Sequence, residues 1–354
     1  MSQKNIVHVV GTGTIGEPLI GLLCSFKNQL EIDEVSFSKK TASIYDRSKV
    51  NALKRKGASF AADESTIEAF RNIGITPEYT FEQALERASV VIDCTPVGNQ
   101  NKAQVYENYL DNTRGFIAQG SEFGFGKMYA RGINDHALSP EKDKFLQVVS
   151  CNTHNLSILL KTIGGVGQEK SYFDHGRFVC IRRANDISQD KSFIPAPVVN
   201  EHDDETFGTH HARDAHELFK TLGQDVQVFS SALKTNSQFM HTVWFHLKLK
   251  ESQSLDQIVN RLDSNELVAM TNKKSSNTVF SFGRDHGHFG RILSQTVIVK
   301  DTLHVVGQDV YGWCFTPQDG NSLLSSVAAA VYFLYPQSYE EKINCLKPYF
   351  FQEI

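Results

Sequence analysis

Ser150-Cys151-Asn152-Thr153-His154-Asn155 sets a thiol between an apolar strand-like run, Phe145 to Val149, and an apolar helical start, Leu156 to Leu160. A cysteine at a strand-to-helix junction meets the positive end of the helix, which lowers its pKa and favours the thiolate. First-turn N–H groups there also suit the oxyanion that forms when a thiolate adds to a carbonyl. The same window reads equally well as a buried cysteine whose neighbours Asn152 and Thr153 cap a helix. His154 is close enough in sequence to cap or pack on the same turn.

A second stretch suits phosphate rather than bond making. Ile6 to Val10 is β-branched and apolar, and it runs into Gly11-Thr12-Gly13-Thr14-Ile15-Gly16 and then Leu19, Ile20, Leu22 and Leu23 at helical spacing. The first glycine permits the tight turn, the second lets a pyrophosphate approach the backbone, and the third lets helix pack on strand. The helix N-terminus then offers N–H donors and a favourable dipole, so a dinucleotide is expected here. A second strand, Glu34 to Ser38, ends in Ser38-Lys39-Lys40-Thr41 with no carboxylate to hold ribose hydroxyls. Two ammonium groups and hydroxyls suit a 2′-phosphate, so NADP is expected, with NAD possible; a solvated lysine loop is the plainer reading.

Arg182-Arg183 closes another strand-like run, Phe178 to Arg182. Arginine forks bind phosphate, but alternation turns neighbours to opposite faces, so one of the two is free to pair with a carboxylate. The stretch from His202 to His216, including His210 and His211, is rich in metal-ligand side chains, yet its spacing matches no zinc pattern and no metal is expected. Gly283 to His288 reads as a charged surface turn.

The elements that must position these groups alternate strand and helix. Helices are expected at Lys49 to Lys56 and Phe81 to Arg87. Strands follow at Ser89 to Asp93, which ends in Cys94-Thr95-Pro96, and at Phe116 to Gly120, with glycine at the carboxyl end where such sheets place ligands. Beyond Cys151 the strand-like runs are Phe178 to Arg182, Val226 to Phe229, Thr242 to Leu249 and Ser294 to Val299, before an apolar helix, Leu323 to Tyr335. The fold class is therefore α/β. A Rossmann-type, doubly wound domain is expected over 1–150, with the tail 320–354 packing back on it, and an α+β catalytic domain with a mixed, mostly antiparallel sheet over 151–319.

Composition narrows the partners. The 354 residues are 40% hydrophobic and 21% charged with a net charge of −4, which gives no reason to expect nucleic acid or an anionic membrane. No apolar run approaches the ~18 residues that span a bilayer, and Met1 to Asn5 leaves no room for a leader before the first strand. Six cysteines without C-x-x-C spacing fit a reducing, cytoplasmic setting.

Taken in order, Gly11-Thr12-Gly13-Thr14-Ile15-Gly16, Asp93-Cys94-Thr95-Pro96, Gln119-Gly120, Ser150-Cys151-Asn152-Thr153, Arg182-Arg183-Ala184 and Thr209-His210-His211 resemble the archaeal-type (type II) glyceraldehyde-3-phosphate dehydrogenases over most of the chain. The resemblance implies a phosphorylating dehydrogenase acting on glyceraldehyde 3-phosphate and inorganic phosphate, in a homotetramer. It makes Cys151 the nucleophile and selects His241, in Met240-His241, as the general base. It brings Thr95, Pro96 and Gly120 to the cofactor, and Asn152, Thr153, Arg182, Arg183, His210 and His211 to the substrate. The pattern departs at Ala212-Arg213, where the family has Gly-Pro, and the glutamine expected at the nicotinamide is replaced at best by Asn321. These departures leave room for another acylating semialdehyde dehydrogenase or acyl-phosphate reductase. A nucleotide-binding regulator without turnover is the non-enzymatic alternative.

Overall fold

The computed structural model describes residues 4–120, 122–187, 189, 193–317 and 319–354. Met1, Ser2 and Gln3 of the expected leaderless start lie outside these. The chain forms two compact units.

The first unit gathers residues through Lys127, Leu138–Val148 and Leu323–Lys347. Its strands are β1 (Ile6–Val10), β2 (Glu34–Ser38), β3 (Ser59–Ala62), β4 (Tyr79–Thr80), β5 (Val90–Asp93), β6 (Gly115–Gln119) and β8 (Phe145–Val148), with only the first residue of β7 (Lys127–Tyr129) assigned to it. They are ordered β4-β3-β2-β1-β5-β6-β8-β7, and the assigned pairings from β4 to β8 are parallel. Every residue of β1 is buried, which is why the sequence shows an unbroken apolar run there instead of alternation. The order reverses direction at β1 and β5, so the carboxyl ends of these two strands flank the switch point where doubly wound sheets bind ligands. This is the Rossmann-like half that the pattern predicts. Phe81–Arg87 is a helix at its predicted bounds, fixed by a capping box in which Thr80 and Gln83 satisfy each other's backbone N–H.

The second unit comprises Met128–Ala137, Val149–Ser322 and Pro348–Ile354. Its strands are β9 (Phe173–Arg182), β10 (Val198–Val199), β11 (Gln227–Lys234), β12 (His241–Leu249), β13 (Val268–Thr271), β14 (Thr296–Val299), β15 (His304–Val306) and β16 (Asp309–Thr316), ordered β10-β11-β9-β12-β16-β14-β13 with β15 on β16. Two pairings are parallel and the rest antiparallel, the mixed sheet expected. The Cys151–Thr162 helix is buried along most of its length, because it is packed inside the unit's core with Val149, Phe178, Phe219 and Val243.

Three segments add detail to the pattern. Arg284, Asp285 and His286 are exposed, as expected, and form the last turn of the Ser276–His286 helix, whose Val279 and Gly283 are buried. His210 and His211 open the His210–Lys220 helix, whose apolar face (Ala212, Ala215, Leu218, Phe219) the density of histidine and charge had masked. Of the tail, Leu323–Lys347 falls in the first unit and Pro348–Ile354 in the second, where Ile354 N–H bonds to Met270 O.

Candidate active site

Two separate constructions carry the predicted residues. In the first unit the glycine-rich turn joins β1 to the Gly16–Phe26 helix. Gly11 has φ +93°, and a Cβ on Gly16 would lie 2.1 Å from Gly11 O, so both glycines are required by the turn itself. Gly13 differs: it is exposed, and a Cβ there would meet nothing within 4 Å. The helix N-cap, Ile15, gives no side-chain cap to the first turn. An uncapped N-terminus beneath an open glycine fits a pyrophosphate. Thr12 is buried and its carbonyl accepts from Lys49 Nζ at 3.2 Å.

The neighbouring loop meets this turn. A Cβ on Gly11 would approach Thr95 Cγ2 at 3.2 Å, which places the Cys94-Thr95-Pro96 corner against the glycine-rich turn. Asp93 is buried and holds that corner: it accepts from Thr95 N–H at 2.8 Å, Thr95 Oγ1–H at 2.6 Å, Asn101 Nδ2 at 2.7 Å and Tyr106 O–H at 2.6 Å. Pro96 is exposed beside it, and Gly120 adopts φ +70° after β6. At the end of β2 the picture is less simple than two free ammonium groups. Lys39 Nζ lies 3.0 Å from Asp46, which also faces Lys49 at 3.6 Å, while Lys40 is exposed. Ser38, expected among the hydroxyls for a 2′-phosphate, is turned inward to His8 Nε2 at 3.1 Å.

The thiol centre lies wholly in the second unit. Ser150 caps the Cys151–Thr162 helix, so Cys151 occupies its first turn as the strand-to-helix reading requires. β12 begins at His241 and brings Nδ1 to 3.9 Å from Cys151 Sγ and 3.0 Å from Asn152 Oδ1. Thr316 at the end of β16 donates to the same Asn152 oxygen at 3.0 Å and accepts from Asn155 Nδ2 at 2.8 Å. Cys151, Arg183, His241, Thr316, Pro317 and Asp319 line one cleft. Asn152 Nδ2 reaches toward His211 Nε2 at 3.5 Å, which joins the opening of the His210–Lys220 helix to this centre.

The two arginines part company. Arg183 is buried and held by Asp186 at 2.9 Å and Asp319 at 3.2 Å. Arg182 is half-buried, has no ion-pair partner among the described residues, and is close enough to depress the pKa of His210, His211 and His241. Of the pair, Arg182 alone is without a carboxylate partner among the described residues.

Protonation departs from the reading of the helix end. Burial, reinforced by the Asp319 carboxylate and opposed by Arg183, pushes the Cys151 thiol up to about 12. The helix terminus does not overcome desolvation, so the thiol is protonated. Burial, with Arg183 and Arg182 adding to it, holds His241 well below the usual histidine range, hence neutral.

Two predicted contacts are otherwise engaged. Thr153 is buried, with its N–H donating to Ser150 Oγ at 3.3 Å and its hydroxyl 2.8 Å from the same oxygen, so of the first three N–H groups of the helix its own is taken by the cap. Asn321, expected at the cofactor, is fully buried. Its Nδ2 donates to Cys151 O at 2.9 Å and to Gln295 O at 3.2 Å, so it braces the helix opening. Thr316, Asp319 (φ +55°) and Lys49 were missed, because nothing in their sequence neighbourhood marks chemistry; a polar residue before an apolar helix reads only as a cap. Among the described residues no group of three or more His, Cys, Asp or Glu is placed to hold a metal, and no helix is long and apolar enough to cross a membrane.

Fold and centre define an α/β protein with a Rossmann-like sheet and a cysteine–histidine pair at a helix opening. The chain is similar over most of its length to archaeal glyceraldehyde-3-phosphate dehydrogenases. It is 26% identical over 326 residues to that of Archaeoglobus fulgidus (87% of this chain, 86% of the relative) and 24% identical over 315 residues to that of Sulfolobus acidocaldarius (86% and 85%). With that of Methanobrevibacter smithii it shares 24% over 352 residues (95% and 96%). No protein-family model matches the chain.

Proposed function

We propose that this chain is a phosphorylating glyceraldehyde-3-phosphate dehydrogenase, with Cys151 as nucleophile and His241 as base. The observation that carries the reading is the 3.9 Å approach of His241 Nδ1 to Cys151 Sγ in the first turn of a helix, in a chain similar almost end to end to proteins named glyceraldehyde-3-phosphate dehydrogenase. Cys151 Sγ adds to the aldehyde carbon while the thiol proton passes to the carbonyl oxygen, giving a hemithioacetal. The N–H groups of Cys151 and Asn152 stabilise charge developing on that oxygen. When bound, a nicotinamide dinucleotide supplies the hydride acceptor that converts the hemithioacetal to a thioester. His241, neutral at rest, takes the hydroxyl proton released in that conversion. Inorganic phosphate then attacks the thioester carbon and expels the Cys151 sulfur, which takes up the proton that phosphate loses, yielding 1,3-bisphosphoglycerate while His241 releases its proton to solvent. Arg182 and His210 hold phosphate by charge and hydrogen bonds, and Arg183 backs the cleft through Asp319.

Gly11, Gly13, Gly16, Thr95, Pro96 and Gly120 support the cofactor site, with Thr12, Thr14 and Ile15 forming its turn. NADP is the proposed cofactor and NAD a permitted one, supported by Lys39 and Lys40 at the end of β2 and tempered by Asp46 on Lys39. Residues 1–150 and 151–319 are proposed as the cofactor and catalytic domains of a cytoplasmic homotetramer. The half-buried aromatic ladder Trp244, His246 and Tyr311 supports self-association. Purified protein given glyceraldehyde 3-phosphate, phosphate and NADP is expected to form NADPH, and Cys151→Ser to form none. Equal turnover without phosphate, or preference for a carboxylated semialdehyde in an aldehyde panel, would displace this reading.

A further inference from the structure

We propose that Thr316 is a positioning residue that fixes the tautomer of His241, placing its proton on Nδ1 and its lone pair on Nε2. Direction along the buried chain of hydrogen bonds carries the inference. Cys314 Sγ lies 3.3 Å from Asn155 Oδ1 and 3.6 Å from Val243 O; its one proton, on the nearer acceptor, turns the Asn155 amide with its N–H toward Thr316 Oγ1, 2.8 Å away. A hydroxyl has one proton. With Oγ1 already accepting, that proton goes to Asn152 Oδ1 at 3.0 Å. The Asn152 amide is thereby oriented with its oxygen toward β12 and its nitrogen toward His211. An oxygen 3.0 Å from His241 Nδ1 accepts only if Nδ1 carries hydrogen. All four partners of the relay other than His241 are buried, so water does not compete for these groups.

The consequence for chemistry rests on the dehydrogenase reading above. Nδ1–H donates to Asn152 Oδ1, and the same nitrogen lies 3.9 Å from Cys151 Sγ, so the ring presents hydrogen and not a lone pair on the sulfur's side as the sulfur attacks and leaves. The proton released at oxidation then goes to Nε2. A tautomer reversed by loss of the Thr316 hydroxyl would put the lone pair at the sulfur instead and leave Nε2 unable to accept.

The test is long-range proton–nitrogen NMR on the full chain with ¹⁵N-labelled histidine, its His241 signal identified by its loss in His241→Gln. The wild-type ring is expected in the Nδ1–H form. Thr316→Val, which keeps the shape and removes the hydroxyl, is expected to shift the tautomer ratio toward Nε2–H by about tenfold, the effect of one lost hydrogen bond. Thr316→Ser should restore the wild-type spectrum, and Thr316→Ala gives the same readout as valine if the valine variant fails to fold. A wild-type ring protonated on Nε2, or an unchanged ratio in the valine and alanine variants, overturns the proposal. No substrate enters this measurement. A shifted tautomer in a chain without dehydrogenase turnover would sustain the inference and sink the activity alone.

Discussion

The glycine-rich turn and the cysteine centre are built by opposite means. The turn is one continuous segment, Gly11 to Gly16, whose shape follows from backbone freedom at Gly11 and Gly16 and whose opening follows from the bare Cα of Gly13. The centre draws Cys151, Arg182, His210, His241 and Thr316 from five separated segments, and each is useful only because a strand end or helix start stops at the right point. A local device tolerates distant change and fails by steric insult within itself. An assembled device fails through any contributor, including residues with no chemistry of their own.

The largest effect expected separates the two. His241→Asn should lower kcat by about 10²–10⁴-fold, the usual contribution of a positioned base, while leaving the affinity for dinucleotide unchanged in a fluorescence titration. A parallel loss of cofactor binding would break the comparison, since it would mean the centre shapes the turn.

The glycines then test the turn from within. Gly16→Ala drives a Cβ into a backbone carbonyl and should cost about 1–3 kcal/mol of stability by overpacking, read as a lower melting temperature. Gly13→Ala meets open space and should leave the melting temperature unchanged while weakening dinucleotide binding about tenfold. If both variants bind as the wild type does, the turn is a structural corner and not a phosphate cradle.

Acid offers the mildest probe, through one buried neutral histidine chosen from each unit. Burial lowers His8, on β1, to about 3, and lowers His154, behind Cys151, to about 4. Both folded values are depressed below the unfolded 6.5, so protonation favours the unfolded state. The stability each gives is complete above pH 6.5 and is lost as pH falls toward 4 and 3. At pH 5.5 each loss is about 1 kcal/mol. Calorimetry should show His8→Gln and His154→Gln each flattening the decline between pH 6.5 and 4. Below pH 4 the His8 contribution should continue to fall after that of His154 is spent. Equal behaviour of wild type and both variants across that range would remove the buried histidines from the acid response.

Sequence alone determined what depends on neighbours along the chain. β1, β2 and the Phe81–Arg87 helix fall at their predicted bounds, because a fully buried parallel strand needs an unbroken apolar run and a capping box needs Thr80 and Gln83 three apart. Cys151 was legible as a thiol at a helix opening because strand, cap and apolar helix adjoin it. The neighbouring residues misled where burial decided. Hydration is a property of the surrounding packing, so the thiol that the helix end should acidify is pushed up to about 12. His241 came from a family pattern, since a histidine among apolar residues does not announce its partner 90 positions away. Only the tertiary structure could divide Arg182 from Arg183, turn Asn321 to Cys151 O, and bring Thr316 to Asn152. Those contacts join residues separated by 136, 170 and 164 positions, and the chain brings such residues together only by closing its sheets.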